Sequence, residues 1–298
     1  NAVSLTKSIA DKISSGEKVN LKNTKRVMES LVDQIIEEEA ILIGMTSIKD
    51  YDEYTYHHSV NVSILSVALG HRIGLTRKNL TELGLSALLH DIGKTEVPSE
   101  ILNKTSELTK EEWEIIIKHP IWGACSILKL KGIAESSMSS VISAFEHHLN
   151  YDLSGYPKLK NEITLDLYSR IIAISDQYDA MTSSRVYSRI PVPPDRALSI
   201  IMDRAGTQLD PYLLKIFINM IGIYPLGSLV MLDTNELGLV FESNPNSHFI
   251  NRPRVLIIMD DKGEKTKNTV DLMEKNIEGN FKRSILKTLD PNAYKINL

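Results

Sequence analysis

Seven of the eight histidines lie before residue 150, several on the inward faces of expected helices. His58 shares a stripe with Val62, Leu65 and Leu69, at i+4, i+7 and i+11. His57 stands over Asn61 and Ile64, a more mixed face, so His58 is taken as the inward member of the pair. His90 and Asp91 end a stripe containing Leu83 and Ala87, and His147 and His148 follow Val141, Ala144 and Phe145. Asp176 and Asp179 extend the stripe of Ile172. An imidazole or carboxylate buried without a partner is costly. One inward histidine is ordinarily a hydrogen-bonded core residue. Several histidines and aspartates sharing inward faces instead suggest a metal site. A mixed imidazole and carboxylate set suits iron, manganese or zinc and argues against a calcium cage. The adjacent His90-Asp91 allows the carboxylate to bridge two metals while the imidazole binds one. Two metals about 3.5–4 Å apart can share a hydroxide and clamp a phosphodiester.

The elements that must position these groups are mostly helical. Residues 4 to 47 have helical spacing, with Val27, Leu31, Ile35 and Ile36 as apolar positions and a polar break over 17–25. Further helices are predicted around 58–73, 77–91, 109–130, 136–148, 164–181, 195–204 and 210–222, with loops at 94–103, 150–162 and 189–194. After Tyr224-Pro225-Leu226-Gly227, short strands are predicted at 229–232, 237–242 and 255–259, and 281–298 reads equally as helix or irregular chain. The expected organisation is an N-terminal helical region over 1–50, a helical domain over 51–223 and a small β-rich appendage over 224–298.

Hydrophobic residues make up 42% and charged residues 24% of the 298 residues, enough apolar content to bury a core. A net charge of -4 gives no global basic field for duplex nucleic acid, so an anionic substrate needs local cations or metals. The single cysteine, Cys125, excludes an intrachain disulfide and a Cys-rich structural zinc site. It fits a reducing compartment, and the expected location is cytoplasmic. Cys125 is expected in the core, and His71 and His248 on the surface. No apolar run approaches the roughly 20 residues needed to span a bilayer.

Six ordered segments carry a resemblance. They are Tyr54-Thr55-Tyr56-His57-His58-Ser59, His90-Asp91-Ile92-Gly93-Lys94, Lys118-His119-Pro120, His147-His148, Gly155-Tyr156-Pro157 and Ser175 through Ser183. Together they resemble the HD-GYP family, a branch of the HD hydrolase superfamily, over roughly 50 to 223. The resemblance implies an HD-type helical bundle and a binuclear or trinuclear metal centre, often iron, with manganese as an alternative. It implies hydrolysis of cyclic di-GMP to linear pGpG, often continuing to GMP, by a metal-bridging hydroxide.

Matching motifs make His58, His90, Asp91, His119, His147, His148 and Asp176 the metal ligands. Asp91 would bridge. His58, His90 and Asp176 would serve one metal, and His119, His147 and His148 the other. Lys94 would hold a phosphate oxygen, Arg185 would meet another phosphate, and Gly155, Tyr156 and Pro157 would shape the loop beside the substrate. Each has a plainer reading: a helix-end cation for Lys94, a surface ion pair for Arg185, a simple turn for Tyr156 and Pro157. Asp179 is expected to support a ligand, and Asp152 to make an Asx-type turn.

Some trinuclear members place Glu four residues before the first ligand histidine. Here that position is Tyr54, with Glu53 one residue off, so two metals are expected. Leu149 stands where the family usually has Glu, Leu153 where Gly is usual, and Ser188 where a basic residue is common. Such neighbours can cost roughly 10–100-fold in metal affinity or activity. A weakly catalytic binding or signalling module, or a hydrolase of another cyclic dinucleotide, therefore stands beside the leading reading. The N-terminal helices either pack on the helical core or join an upstream sensor domain and a second copy as a homodimer.

Overall fold

Amphipathic segments that bury one stripe each must stack on one another, and they do so in a computed structural model that describes residues 2–15, 22–46, 54–130, 138–183, 191–244, 246 and 248–289. The helices are α1 (Ala2–Ser14), α2 (Lys22–Met45), α3 (Tyr54–Arg72), α4 (Arg77–Leu89), α5 (Ser99–Leu102), α6 (Lys110–Ile116), α7 (His119–Lys129), α8 (Met138–Glu146), α9 (Leu167–Thr182), α10 (Pro194–Met202) and α11 (Pro211–Ile221), with a 3-10 turn at Ile92–Glu96 after α4. Helix α3 is central and packs against α1, α2, α4, α9 and α11. Its Val62, Leu65 and Leu69 meet Leu80 and Leu83 of α4, Ile171 and Ile172 of α9 and Phe217 of α11 in one core. Each such side chain contributes about 1.5–3 kcal/mol on full burial.

Both N-terminal helices pack on this bundle. Met28, Val32, Ile35 and Ile43 of α2 join the main core. Ile9 and Ala10 of α1 join a second cluster with Leu89, Ile92, Ile127, Leu130 and Ala144. The buried line of α2 runs through Met28 and Val32, so Val27 and Ile36, read from the sequence as part of the stripe, are exposed. Farther along, the helix bends at Glu38 (φ -135, ψ 44).

Side-chain caps fix the helix starts. Thr109 and Glu112 form a reciprocal capping box on α6. Asp166 accepts from the Tyr168 amide at α9, and Asp210 from the Tyr212 and Leu213 amides at α11. Such caps are each worth about 1 kcal/mol. The single helix predicted over 109–130 is instead two, α6 and α7. Pro120 lacks an amide hydrogen and is tolerated only in a first turn, so the chain restarts its helix at His119. Cys125, expected in the core, is exposed, because α7 buries Gly123, Ala124, Ser126 and Ile127 instead.

Past residue 224 lies a five-stranded antiparallel sheet of order β4-β3-β2-β1-β5. Its strands are β1 (Leu229–Leu232), β2 (Leu237–Glu242), β3 (Arg254–Met259), β4 (Lys265–Asp271) and β5 (Ile285–Leu289). Val230, Leu232, Val240, Val255, Ile257 and Leu272 form its own small core. The sequence reading omits β4 and leaves β5 undecided. Both are edge strands in that order, and the mostly exposed β4 (Lys-Thr-Lys-Asn-Thr-Val-Asp) has no apolar alternation to reveal it. No helix among the described residues is long and apolar enough to cross a membrane.

Two glycines separate hard from soft packing. A Cβ on Gly93 would lie 2.0 Å from the His119 carbonyl oxygen and 2.4 Å from the Gly123 amide nitrogen, both backbone. A Cβ on Gly84 would meet chiefly the end of Met28, at 2.3 Å from Sδ, and a flexible thioether can move. Gly93→Ala should therefore cost about 3 kcal/mol of unfolding free energy and Gly84→Ala about 1 kcal/mol, read by urea denaturation. Equal costs would contradict this account of how α7 is seated.

Candidate metal centre

Five stretches of chain deliver the site. His58 comes from α3, and His90 caps the C-terminus of α4. Asp91 (φ -100, ψ 7) starts the 3-10 turn in the sparsely populated bridge region. His119 opens α7, His147 and His148 follow α8, and Asp176 and Asp179 sit three apart on α9. All are buried except His148, which is partly exposed.

The side chains fall into two groups able to hold a cation, one of Asp91, His119, His147 and His148 and one of His58, His90 and Asp176, with donor atoms in each within 4.8 Å of one another. Asp91 divides its oxygens between them. Its Oδ1 lies 3.2 Å from His119 Nε2 and 3.6 Å from His147 Nε2. Its Oδ2 lies 3.5 Å from His90 Nε2 and 3.9 Å from His58 Nε2. Asp176 Oδ1 is 3.1 Å from His58 Nε2 and 3.9 Å from His90 Nε2.

The outer nitrogens decide what the inner ones are. Nδ1–H of His90 donates to the Ala87 carbonyl at 2.7 Å, that of His119 to Ile116 at 2.7 Å and that of His147 to Ala144 at 2.9 Å. Nδ1–H of His58 donates to Asp179 Oδ2 at 2.7 Å, and Asn61 Nδ2 donates to Asp179 Oδ1 at 3.0 Å. A neutral imidazole that donates from Nδ1 carries a lone pair on Nε2. Four lone pairs thus face inward. Two of them, on His119 and His147, face each other at 3.2 Å. Among the described residues, buried His90 Nε2 and Asp91 Oδ1 have no hydrogen-bond partner. Acceptors turned toward acceptors repel unless a cation lies between them, so the donor set fits divalent metal.

Protonation follows the same logic. Burial lowers the pKa of His90 to about 4, and it also lowers those of His119 and His148, keeping these rings neutral. Burial alone would raise the Asp91 carboxyl, but the Lys94 ammonium and the neighbouring imidazoles outweigh it and hold the carboxyl well below its usual range. Asp176 is likewise held low against burial by its bond to His58. Burial pushes His58 down, yet Asp176 and Asp179 together raise it to about 9. At neutral pH such a ring holds a proton on Nε2 facing Asp176, and a cation bound there would take that proton's place and leave Nε2 as a lone-pair donor.

The loop after the paired histidines closes one side. The Tyr156 amide donates to the His148 carbonyl at 3.2 Å, and Leu149 pairs with Gly155. Gly155 has φ +90, and a Cβ there would lie 2.3 Å from the His148 carbonyl oxygen, so only glycine suits the position. The Tyr156–Pro157 bond is cis. The Tyr156 ring lies 4.6 Å from that of His148, tilted by 36°. Lys94 Nζ pairs with Asp91 Oδ2 at 2.5 Å and is partly exposed, at the rim of the cluster. Asp152 accepts from the Ser154 amide at 2.9 Å, an Asx turn. Arg185, Ser188 and Glu53 lie outside the described residues.

Sequence reasoning missed three neighbours. Asn61 anchors Asp179, and its signal was a polar residue one turn beyond His58. Glu146 accepts from the Asp166 amide at 3.0 Å and ties the end of α8 to the start of α9. Trp113 lies edge-to-face with Tyr156 at 6.1 Å, and nothing in its spacing revealed that.

Known proteins resemble this chain in sequence and fold. A family model described as "HD domain" matches residues 31–213. Among curated relatives, a cyclic di-GMP phosphodiesterase of Pseudomonas aeruginosa is 32% identical over 257 residues, covering 86% of this chain and 61% of the relative. The cyclic di-GMP phosphodiesterase PdeB of Borreliella burgdorferi is 36% identical over 201 residues, covering 66% and 52%. The chain thus spans only half to three-fifths of the length of these relatives. A solved structure described as an HDG"Y"P protein from Bdellovibrio bacteriovorus has the same fold, with TM-score 0.58 and 22% identity over 72% of this chain and 69% of that one.

Metal analysis of substituted proteins tests the site. Asp91→Ala should lower occupancy in both groups, and full metal content would rule out a shared carboxylate. Asp179→Asn should weaken metal binding roughly 10–100-fold while the fold persists. His58→Ala should lose metal and His57→Ala retain it.

Proposed function

The chain belongs to the HD domain family, and from that premise we propose that it is a metal-dependent phosphodiesterase that hydrolyses cyclic di-GMP to linear pGpG, with GMP as a further product. The carrying observation is the pair of buried donor groups that share Asp91, one carboxylate oxygen facing each. The names of the relatives from Pseudomonas aeruginosa and Borreliella burgdorferi support the substrate.

His58, His90 and Asp176 would hold one cation and His119, His147 and His148 the other, with Asp91 common to both; iron is our first choice and manganese the second. Cations so held supply Lewis acidity and an activated water for attack on phosphorus. The protein's own side chains do the rest. Asp179 and three backbone carbonyls fix the imidazoles with Nε2 inward. Lys94, at the rim beside Asp91, turns to a phosphate oxygen as substrate enters, and with water it is a candidate to protonate the leaving 3′-oxygen. Arg185, by its place in the motif, would meet another phosphate. Gly155, Tyr156 and Pro157 wall the substrate.

Turnover is expected to be slow. Leu149 is buried where the family usually has Glu, and Leu153 takes φ 65, a left-handed conformation natural to the usual Gly. Complete donor groups nonetheless favour an enzyme over a binding module. A second substrate reading has support of its own. A 3'3'-cGAMP-specific phosphodiesterase of Vibrio cholerae is 32% identical over 158 residues, covering 53% of this chain and 33% of that protein. We place the chain in the cytoplasm, with an upstream sensor domain or a second copy joined through the N-terminal helices.

Anaerobic metal analysis and product analysis on one sample test the reading. Iron- or manganese-loaded protein should yield pGpG. Lys94→Ala should lower turnover about a hundredfold and leave metal content nearly unchanged. Metal-replete protein that makes neither pGpG nor GMP after prolonged incubation would overturn the enzymatic assignment.

A further inference from the structure

We propose that Trp113 is a stacking platform for one purine base of the substrate. This rests on the phosphodiesterase reading above and extends it from the phosphate to the base. Rings step outward from the metal centre in sequence. His147 and His148 lie 4.1 Å apart, His148 and Tyr156 4.6 Å, and Tyr156 and Trp113 6.1 Å with planes at 82°. The first two rings belong to the donor cluster, the third to the loop beside it, and the last is on α6.

The indole is open at the surface, 47% exposed, although it is among the largest apolar groups a chain can bury. It is also held in place. Helix α6 is fixed by the Thr109–Glu112 capping box, Glu112 pairs with Lys104 at 2.6 Å, and the Tyr156 ring buttresses the indole edge-to-face. A fixed, half-exposed aromatic face loses little freedom when a flat ligand covers it.

The substrate supplies such a ligand. The cations and Lys94 recognise only phosphate, whereas a cyclic dinucleotide carries each base on a ribose next to a phosphate. A phosphate seated at the cluster leaves its base outside the donor groups, and Tyr156 and Trp113 are the rings that follow His148 outward. Stacking uses the π-face that every base has, so it tolerates exchange of guanine for adenine. Trp113 is thus assigned to affinity for purine cyclic dinucleotides as a class, not to the choice between them.

The protein has two tryptophans, Trp113 and Trp122, so Trp122→Phe leaves Trp113 as the sole indole reporter. On mixing metal-loaded Trp122→Phe protein with cyclic di-GMP, Trp113 emission should be quenched in a saturable way before products accumulate. In the parent protein, Trp113→Ala should raise KM about tenfold for cyclic di-GMP and 3'3'-cGAMP alike, with kcat changed far less, and Trp113→Phe should raise it less. Metal content and melting temperature serve as controls on the fold. Unquenched emission, or an unchanged KM in Trp113→Ala, would overturn the platform. Product formation with an unchanged KM would reject Trp113 alone. Quenching without any product would reject the phosphodiesterase reading and retain the platform. Neither quenching nor product would reject both. If Trp113→Ala fails to fold, quenching in Trp122→Phe protein decides the matter.

Discussion

Four imidazole lone pairs and two carboxylates converge on one buried space, and most of the surrounding structure follows from the need to keep them there. Left to themselves these groups would separate, take up water or bind protons. Here they are held by bonds made on their far sides. Three histidines are tied to carbonyls three residues earlier in their own turns. The fourth, His58, is tied to Asp179, which Asn61 holds in turn. A lone carboxylate in an apolar pocket would simply become neutral. Asp91 and Asp176 stay anionic because cationic and imidazole groups surround them. The protein thereby maintains an electrostatic deficit that a divalent cation is suited to fill.

That arrangement restricts the helices to a few placements. Every donor except His58 and Asp176 sits at or beside a helix end, where the backbone turns and a side chain can project along the axis of its helix. The turn that carries Asp91 touches the start of α7 through Gly93, with no room for a methyl group. The Asp166 cap of α9 is pinned to Glu146, the residue before His147. Caps and close contacts that look like ordinary stability devices thus also set the geometry of the donor atoms.

How much of this is legible in the sequence depends on whether a feature is periodic. The inward position of His58 rather than His57 follows from its spacing to Val62, Leu65 and Leu69, and the burial pattern agrees. The short apolar runs of β1, β2 and β3, set off by Asn- and Pro-rich turns, are legible as strands too. Features governed by one residue are not. Pro120 splits an otherwise continuous helical pattern, and the bend at Glu38 interrupts α2 with no neighbouring proline or glycine to announce it. Strand β4 is held by pairing with β3 and has no apolar face to announce it. Cys125 lies on the outer side of a helix whose inner side carries Gly123, Ala124, Ser126 and Ile127, so its apolar character misled. Asn61 and Glu146 act through hydrogen bonds to residues far away in sequence, so a polar residue beside a ligand is visible but its partner is not.

The loop over 149–157 shows how the donor groups tolerate substitution beside them. Leu149 is buried directly after the paired histidines, and Leu153 sits in a left-handed conformation costing roughly 1–2 kcal/mol for a residue with a side chain. The loop keeps its shape because other bonds fix it. The Tyr151 and Asp152 amides donate to the Gln208 and Thr207 carbonyls, at 3.0 and 2.9 Å, and Asn150 Nδ2 donates to Ser154 Oγ at 2.7 Å. Several bonds of about 1 kcal/mol each outweigh one strained residue, so Gly155 and Tyr156 remain against His148. The strain falls on the loop, whereas the bonds that anchor His58, His90, His119 and His147 lie outside it. Positions 149 and 153 are therefore free to tune how a substrate is held without dismantling the centre that would cleave it.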